Sequence, residues 1–232
     1  MTTTATGSQI TRLFDSGAHF AQVKSRRHPS MKPFILGAKA RVEIIDLAKT
    51  ETQLEAAKAA MTTLAKEGKN VLFVGGKKEI SDIVKNAAMR AHQPYVAGRW
   101  LGGTISNFPE IKKRIDRLAD LSGKRATGEL AKLYTKLEVV RLSREIERLS
   151  ERLDGITELA KRPDALLVVD TRHEAHAVKE ARDAGIPVIA ILGSDCNLAD
   201  AAYPVVANDS SRETVAFLLG ELVTAFEKGK VQ

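Results

Sequence analysis

Three short, uninterrupted apolar runs constrain this chain most: NVLFV at 70–74, DALLVV at 164–169 and PVIAIL at 187–192. No polar residue alternates along them, so each reads as a strand buried on both faces, the condition of a parallel sheet covered by helices. Segments with helical apolar spacing separate the runs. Strand, helix, strand alternation implies right-handed crossovers and a doubly wound α/β sheet. Shorter runs at 95–97 and 204–206 add two strands, and VEIIDL at 42–47 reads as the first of the series.

Local signals place the helices. Thr50 with Gln53 has the spacing of a capping box for a helix running to about Glu67, where Gly68 stops it. Thr171 with Glu174 repeats that spacing ahead of a helix ended by Gly185 and Pro187, and Ser210 with Glu213 opens a last helix reaching about Phe226. The first ten residues lack periodicity and read as a mobile tail, followed by a short helix over 9–17. From His19 to Gly37, Pro29 and Pro33 forbid a regular helix, and the segment reads as a basic, extended loop.

The stretch RWLGGTISNF at 99–108 is a seam beyond which the hydrophobic period changes. Residues 109–158 are charge-dense. Phe108, Ile111, Ile115 and Leu118 follow helical spacing; residues 122–128 supply a turn; Leu130, Leu133, Leu137 and Val140 then repeat the spacing. Leu142, Ile146, Leu149, Leu153 and Ile156 continue it after a phase slip near Arg141. Two helices with narrow apolar seams read as an antiparallel coiled-coil hairpin inserted into the α/β domain. Expected boundaries are 1–107 and 159–232 for that domain, with 1–40 as a basic N-terminal extension, and 108–158 for the hairpin. Gly102 and Gly103 permit the redirection, and Trp100 either packs at the root of the insertion or stacks on a base.

Charge suggests the partner. The net charge of +7 is unevenly placed, because residues 1–125 hold 22 Lys and Arg against 11 Asp and Glu. A polyanion would engage that half. Candidate phosphate contacts are Arg26, Arg27, Lys32, Lys39 and Arg41 in the extension, Lys77 and Lys78 after NVLFV, Arg99 at the seam, and Lys112, Lys113, Arg114 and Arg117 on the hairpin. His19, Phe20 and His28 lie close to the first group and offer flat rings to bases or sugars. The apolar runs fall short of the ~18 residues that cross a bilayer. The opening MTTTATGSQITRLF lacks the pattern of a secretory signal, so a cytoplasmic protein is expected. One cysteine, Cys196, excludes an intrachain disulfide.

An enzyme reading has weaker support. Gly75 and Gly76 precede Lys77 at a strand-to-helix turn, but a Walker loop needs a glycine where Val71 stands and a Ser or Thr where Lys78 stands. Asp170 at a strand end, with His173, Glu174 and His176 beyond it, could hold magnesium or act as a base on a phosphorylated or nucleotide substrate. The zinc-protease spacing fails, since Ala177 stands four after His173. Asp195 beside Cys196 would raise the thiol pKa, which argues against a nucleophile.

GAHFAQVKSRRHPSMKPFILGAKARVEIIDLAKT, AGRWLGGTISNF, PDALLVVDTRHEAHAVKEARDAGIPVIAIL and the segment at 203–209 closely resemble the bacterial small-subunit ribosomal protein S-two family, in order over about residues 9–228. The resemblance implies a flavodoxin-like parallel sheet with a protruding coiled-coil hairpin, binding to small-subunit ribosomal RNA, contacts with neighbouring ribosomal proteins including ribosomal protein S-one, and a place on the ribosome. It implies no catalysis, cofactor or metal site. Arg26, Pro29, Met31, Lys32 and Pro33 match the family motif, and Arg99 matches by position. Ala21 and Gln22 stand where the family has Gly and His, Arg27 stands at its Trp, and GSDCNLA at 193–199 replaces its DTNCDPD.

Overall fold

A computed structural model describes residues 4–231. In chain order the elements are α1 (Thr4–Asp15), β1 (Phe20–Val23), 3-10 turns at Lys24–Arg26 and Pro29–Phe34, β2 (Ile35–Lys39), β3 (Val42–Ile45), α2 (Leu47–Lys66), β4 (Val71–Val74), α3 (Ser81–Ala91) and β5 (Tyr95–Val96). There follow α4 (Phe108–Ala126), α5 (Glu129–Leu133), α6 (Lys136–Leu153), β6 (Ala165–Val169), α7 (Ala175–Asp183), β7 (Val188–Leu192), β8 (Tyr203–Val206) and α8 (Arg212–Val231). None of these helices is long and apolar enough to cross a membrane.

Five strands form a parallel sheet in the order β5-β4-β6-β7-β8. Counted within that sheet the order is 2-1-3-4-5, the arrangement of flavodoxin-like folds. Alternate residues of each strand face opposite layers. Phe73, Leu167 and Ile191 pack with Leu54 and Met61 of α2 and with Leu222 and Phe226 of α8. Leu72, Val74, Leu166, Val168 and Leu192 face a second core that takes in Met31, Trp100, Ile105 and Val178. This second core continues without a break into Ile111, Ile115 and Ile146 of the inserted helices.

VEIIDL does not join the parallel sheet. Its residues 42–45 form β3, the central strand of a separate antiparallel sheet ordered β1-β3-β2. There Glu43, buried at mid-strand, is paired with Arg27 at 2.7 Å, a polar setting unlike that of a strand covered by helices on both faces. The basic segment is therefore two strands and two 3-10 turns rather than an extended loop. Helix α1 begins at Thr4, inside the expected mobile tail; positions 1–3 of that tail lie outside the described residues.

Three expected helix starts also move. Helix α2 begins at Leu47, capped by the Asp46 carboxylate, which accepts the Ala48 N–H. Thr50 and Gln53 instead bond the backbone of Val206. Thr171 to Glu174 form turns ahead of α7, and Glu174 is turned inward. Ser211, one residue after the expected cap, accepts the Thr214 N–H.

In the insertion, α4 buries Phe108, Ile111, Ile115, Leu118 and Leu121. The second helix is broken at Tyr134, and Thr135 opens α6 with a capping box to Glu138. The residues of α6 that pack inward are Val139, Leu142, Ile146, Leu149 and Leu153, a regular 3,4,3,4 series without a phase slip. Leu133, Leu137 and Val140, expected on the seam, are exposed. The capping box resets the helix, which moves the inward face by two residues.

Candidate nucleic-acid interface

The carboxyl ends of the parallel strands gather the loops that carry the candidate residues, as open α/β sheets do. Three backbone-level bonds pin the basic segment to the loop after β7. The Gln22 N–H donates to Ser194 Oγ at 3.0 Å, the His28 N–H to Ser194 O at 2.9 Å, and the Leu198 N–H to Ser30 Oγ at 3.1 Å. Met31 is fully buried beneath. Arg26, exposed, then lies beside Asp170, Arg172, His173 and Asp195.

Lys39 and Arg41 flank and enter the β2–β3 turn, and both are exposed. Ala40 and Arg41 have φ of 49° and 71°, so two residues with Cβ atoms occupy the left-handed region that a two-residue hairpin favours for Asn and Gly. Lys32 is exposed within the second 3-10 turn.

Lys78 and Arg99, both exposed, line a groove of about 950 Å³ with Gly98, Trp100, His173, His176 and Lys179. Backbones meet closely at its floor, where a Cβ on Gly76 would lie 2.5 Å from the Gly98 carbonyl oxygen. The Gly76 N–H donates to Glu174 Oε1 at 2.9 Å, so this turn binds a carboxylate of its own chain. Lys179 and Arg172 were not singled out by the sequence; each sits one helical turn or less from the His173 and His176 pair, which was the available signal.

Two candidate cations point inward. Arg27 is engaged by Glu43. Lys77 Nζ lies 2.5 Å from Asp170 and 3.3 Å from Asp209, joining the ends of three strand-following loops. Burial pushes the Asp209 carboxyl up, to about 6, against the pull of Lys77. Burial also opposes ionisation of Asp170, but the Lys77 ammonium and the His173 N–H outweigh it and hold that carboxyl below the usual range. Asp170 has φ of 63° and accepts the N–H groups of Arg172 and His173, which fixes its carboxylate on the lysine. Asp170, Cys196 and Asp209 could together offer a metal three donor atoms, but Lys77 already supplies the positive charge between the two carboxylates. The Cys196 thiol is pushed up to about 12 by burial and by Asp170 and Asp209, so it carries no thiolate chemistry. The expected direction holds, though burial rather than Asp195 leads.

On α4, Lys112 pairs with Asp116, Lys113 with Glu110, and Arg117 with Glu145 of α6. These are exposed pairs of small net worth and leave the cations open to exchange for phosphate. Arg114 is exposed. The insertion's root is tied to α7. Glu180 accepts from Trp100 Nε1, Gly103 N, Ile105 N, Ser106 N and Ser106 Oγ at 2.9 to 3.2 Å. Trp100 is buried apart from the edge that lines the groove, and its indole N–H is held by Glu180, so it packs at this root.

Comparison with known proteins finds relatives along nearly the whole chain. The family Ribosomal protein S2 matches residues 13–229. A small ribosomal subunit protein uS2 of Coprothermobacter proteolyticus is 38% identical over 221 residues, covering 95% of this chain and 82% of its own. One from Roseiflexus sp. is 39% identical over 218 residues, covering 94% and 83%. A small ribosomal subunit protein uS2c of Rhodomonas salina is 37% identical over 220 residues, covering 95% and 90%. With a match across nearly its whole length and a parallel sheet in the 2-1-3-4-5 order, the chain belongs to the ribosomal protein S2 family.

Proposed function

We propose that this chain is a structural constituent of the small ribosomal subunit that binds small-subunit ribosomal RNA through its exposed cations. The observation that carries the reading is the family match over residues 13–229. Membership of a ribosomal protein family makes the chain a structural protein rather than an enzyme, and Asp170 is occupied by Lys77 rather than free to act as a base.

The RNA contacts in this reading are Arg26, Lys32, Lys39 and Arg41 on the antiparallel sheet, Lys78 and Arg99 at the groove, and Lys112, Lys113, Arg114 and Arg117 on α4. Arg27 and Lys77 support the interface from behind by holding Glu43 and the Asp170–Asp209 pair. Residues 1–107 with 159–232 form the RNA-binding body, and 108–158 form a coiled-coil arm whose seam is the inward series of α4 and α6. Neighbouring ribosomal proteins, ribosomal protein S-one among them, complete the set of partners, and the ribosome is the location.

The test is incorporation. Triple reversal of Arg26, Lys39 and Arg41 to Glu leaves the internal pairs intact and should lower co-sedimentation with small subunits, while circular dichroism stays unchanged. Binding of the wild-type chain to the isolated RNA should weaken steeply with salt, with a log–log slope of roughly 0.7 to 0.9 per phosphate contact. Wild-type behaviour of the reversed variant in both assays would overturn the assignment of these residues.

A further inference from the structure

The distal end of the inserted helices turns apolar side chains outward. Leu133 is 67% exposed, Leu137 63% and Val140 48%. The face of α6 that packs on α4 starts at Val139 and runs through Leu142 and Ile146, so Leu137 and Val140 stand outside it. Leu137, Val140, Arg141 and Arg144 follow i, i+3, i+4, i+7 spacing and therefore share one helical face. That face is apolar at its start and cationic at its end. Lys136 and Arg144 form no ion pair among the described residues, and Lys132 beside Leu133 forms none either.

Charge selects among possible occupants. RNA would use the arginines but leave the leucines and valine facing a polar backbone. A second copy of the chain would bring the same cations against each other. A helix with an apolar stripe and an acidic flank satisfies both halves of the face. We propose that the Leu137–Arg144 face seats such a helix from another protein of the small subunit, its apolar stripe on Leu137 and Val140 and its carboxylates on Arg141 and Arg144. The proposal rests on the ribosomal reading above and extends it by assigning the arm's tip to protein rather than RNA.

The experiment places the photocrosslinker benzoylphenylalanine at Leu137 of the full chain, with a second probe at Lys136 on the neighbouring face, and irradiates small subunits purified by sedimentation. The expected product is an adduct removed by protease and untouched by ribonuclease, mapping to a peptide with Asp and Glu along one helical edge. With the probe at Lys136, Val140→Asp should cut the adduct about tenfold and Val140→Ile should leave it, as expected for a central apolar contact. An adduct lost to ribonuclease, a covalent dimer, or no adduct from incorporated protein at either position overturns the proposal. If the unmodified chain itself fails to sediment with small subunits, the ribosomal reading falls first and takes this one with it.

Discussion

The carboxylate of Glu180 on α7 accepts the indole N–H of Trp100 at 3.1 Å, and the same carboxylate takes three backbone N–H groups and a hydroxyl from residues 103–106. One side chain of the α/β body thus holds the whole leading root of the inserted helices. Burial opposes its ionisation, yet the N–H groups of Gly103, Ser106, Trp100 and Ile105 keep its carboxyl below the usual range.

Glu180→Ala should leave several donors without a partner and cost about 2 to 3 kcal/mol. Amide exchange of residues 103–106 and of the first turn of α4 should quicken more than that of β6. Because a lowered carboxylate pKa adds stability above its unfolded value and loses it as pH falls, Glu180→Gln should flatten the loss of stability on acidification below about pH 4.5. An unchanged acid limb in thermal melts of this variant would exclude Glu180 as the tie.

The trailing root is steric. Gly155, just after α6, approaches β5 so closely that a Cβ there would lie 2.1 Å from the Tyr95 carbonyl oxygen and 2.6 Å from its ring. Gly155→Ala should cost about 1 to 3 kcal/mol through overpacking and displace the arm from the sheet edge. The Tyr95 hydroxyl bond to Asp154, 3.2 Å long, should be lost with it. Denaturant melts compared with Gly123→Ala, where a Cβ meets nothing, isolate the contact from the change in residue type.

Lys77 clamps two buried carboxylates. Lys77→Met should cost about 3 kcal/mol at neutral pH, because both charges lose their counter-ion. The deficit should shrink toward pH 5, where the carboxylates can take up a proton. In the wild type, Asp209 binds its proton more tightly folded than unfolded, so its contribution to stability falls as pH rises from about 4 to about 6. Asp170 acts oppositely, and its contribution is lost as pH falls through its lowered pKa. Melting temperatures of Lys77→Met and Asp209→Asn across pH 4 to 8 separate the two, and parallel curves for all three proteins would refute the clamp.

The β2–β3 turn sets stability against function. Arg41 at φ of 71° is strained, and Arg41→Gly should raise stability by about 1 kcal/mol by releasing the Cβ from the left-handed region. The same change removes one of the exposed cations proposed above to contact RNA. A higher melting temperature with weaker RNA binding is the expected pair of results, read by calorimetry and filter binding.

The central strands were legible because each is a run of apolar residues that only a two-sided burial can accommodate, as NVLFV and PVIAIL are in β4 and β7. The break before α6 is equally written in the Thr135–Glu138 spacing, and a helix continued through it puts the seam on Leu137 and Val140, which are exposed. VEIIDL misled because short apolar runs do not reveal which sheet they join; Glu43 within it was the sign of a different setting. Of the candidate cations, spacing could not distinguish Lys77 from Lys78 or Arg26 from Arg27. One of each pair turns inward to a carboxylate far away in sequence.

By itself the sequence determined the α/β layering, the change of hydrophobic period after residue 99 and the concentration of positive charge in the first half, since period and charge are properties of local stretches. Only the tertiary structure decided which charges remain outside. Pairing Lys77 with Asp170 and Asp209, Arg27 with Glu43 and Trp100 with Glu180 depends on strand order and loop convergence, and buried charge must find its partner wherever the chain brings one within reach.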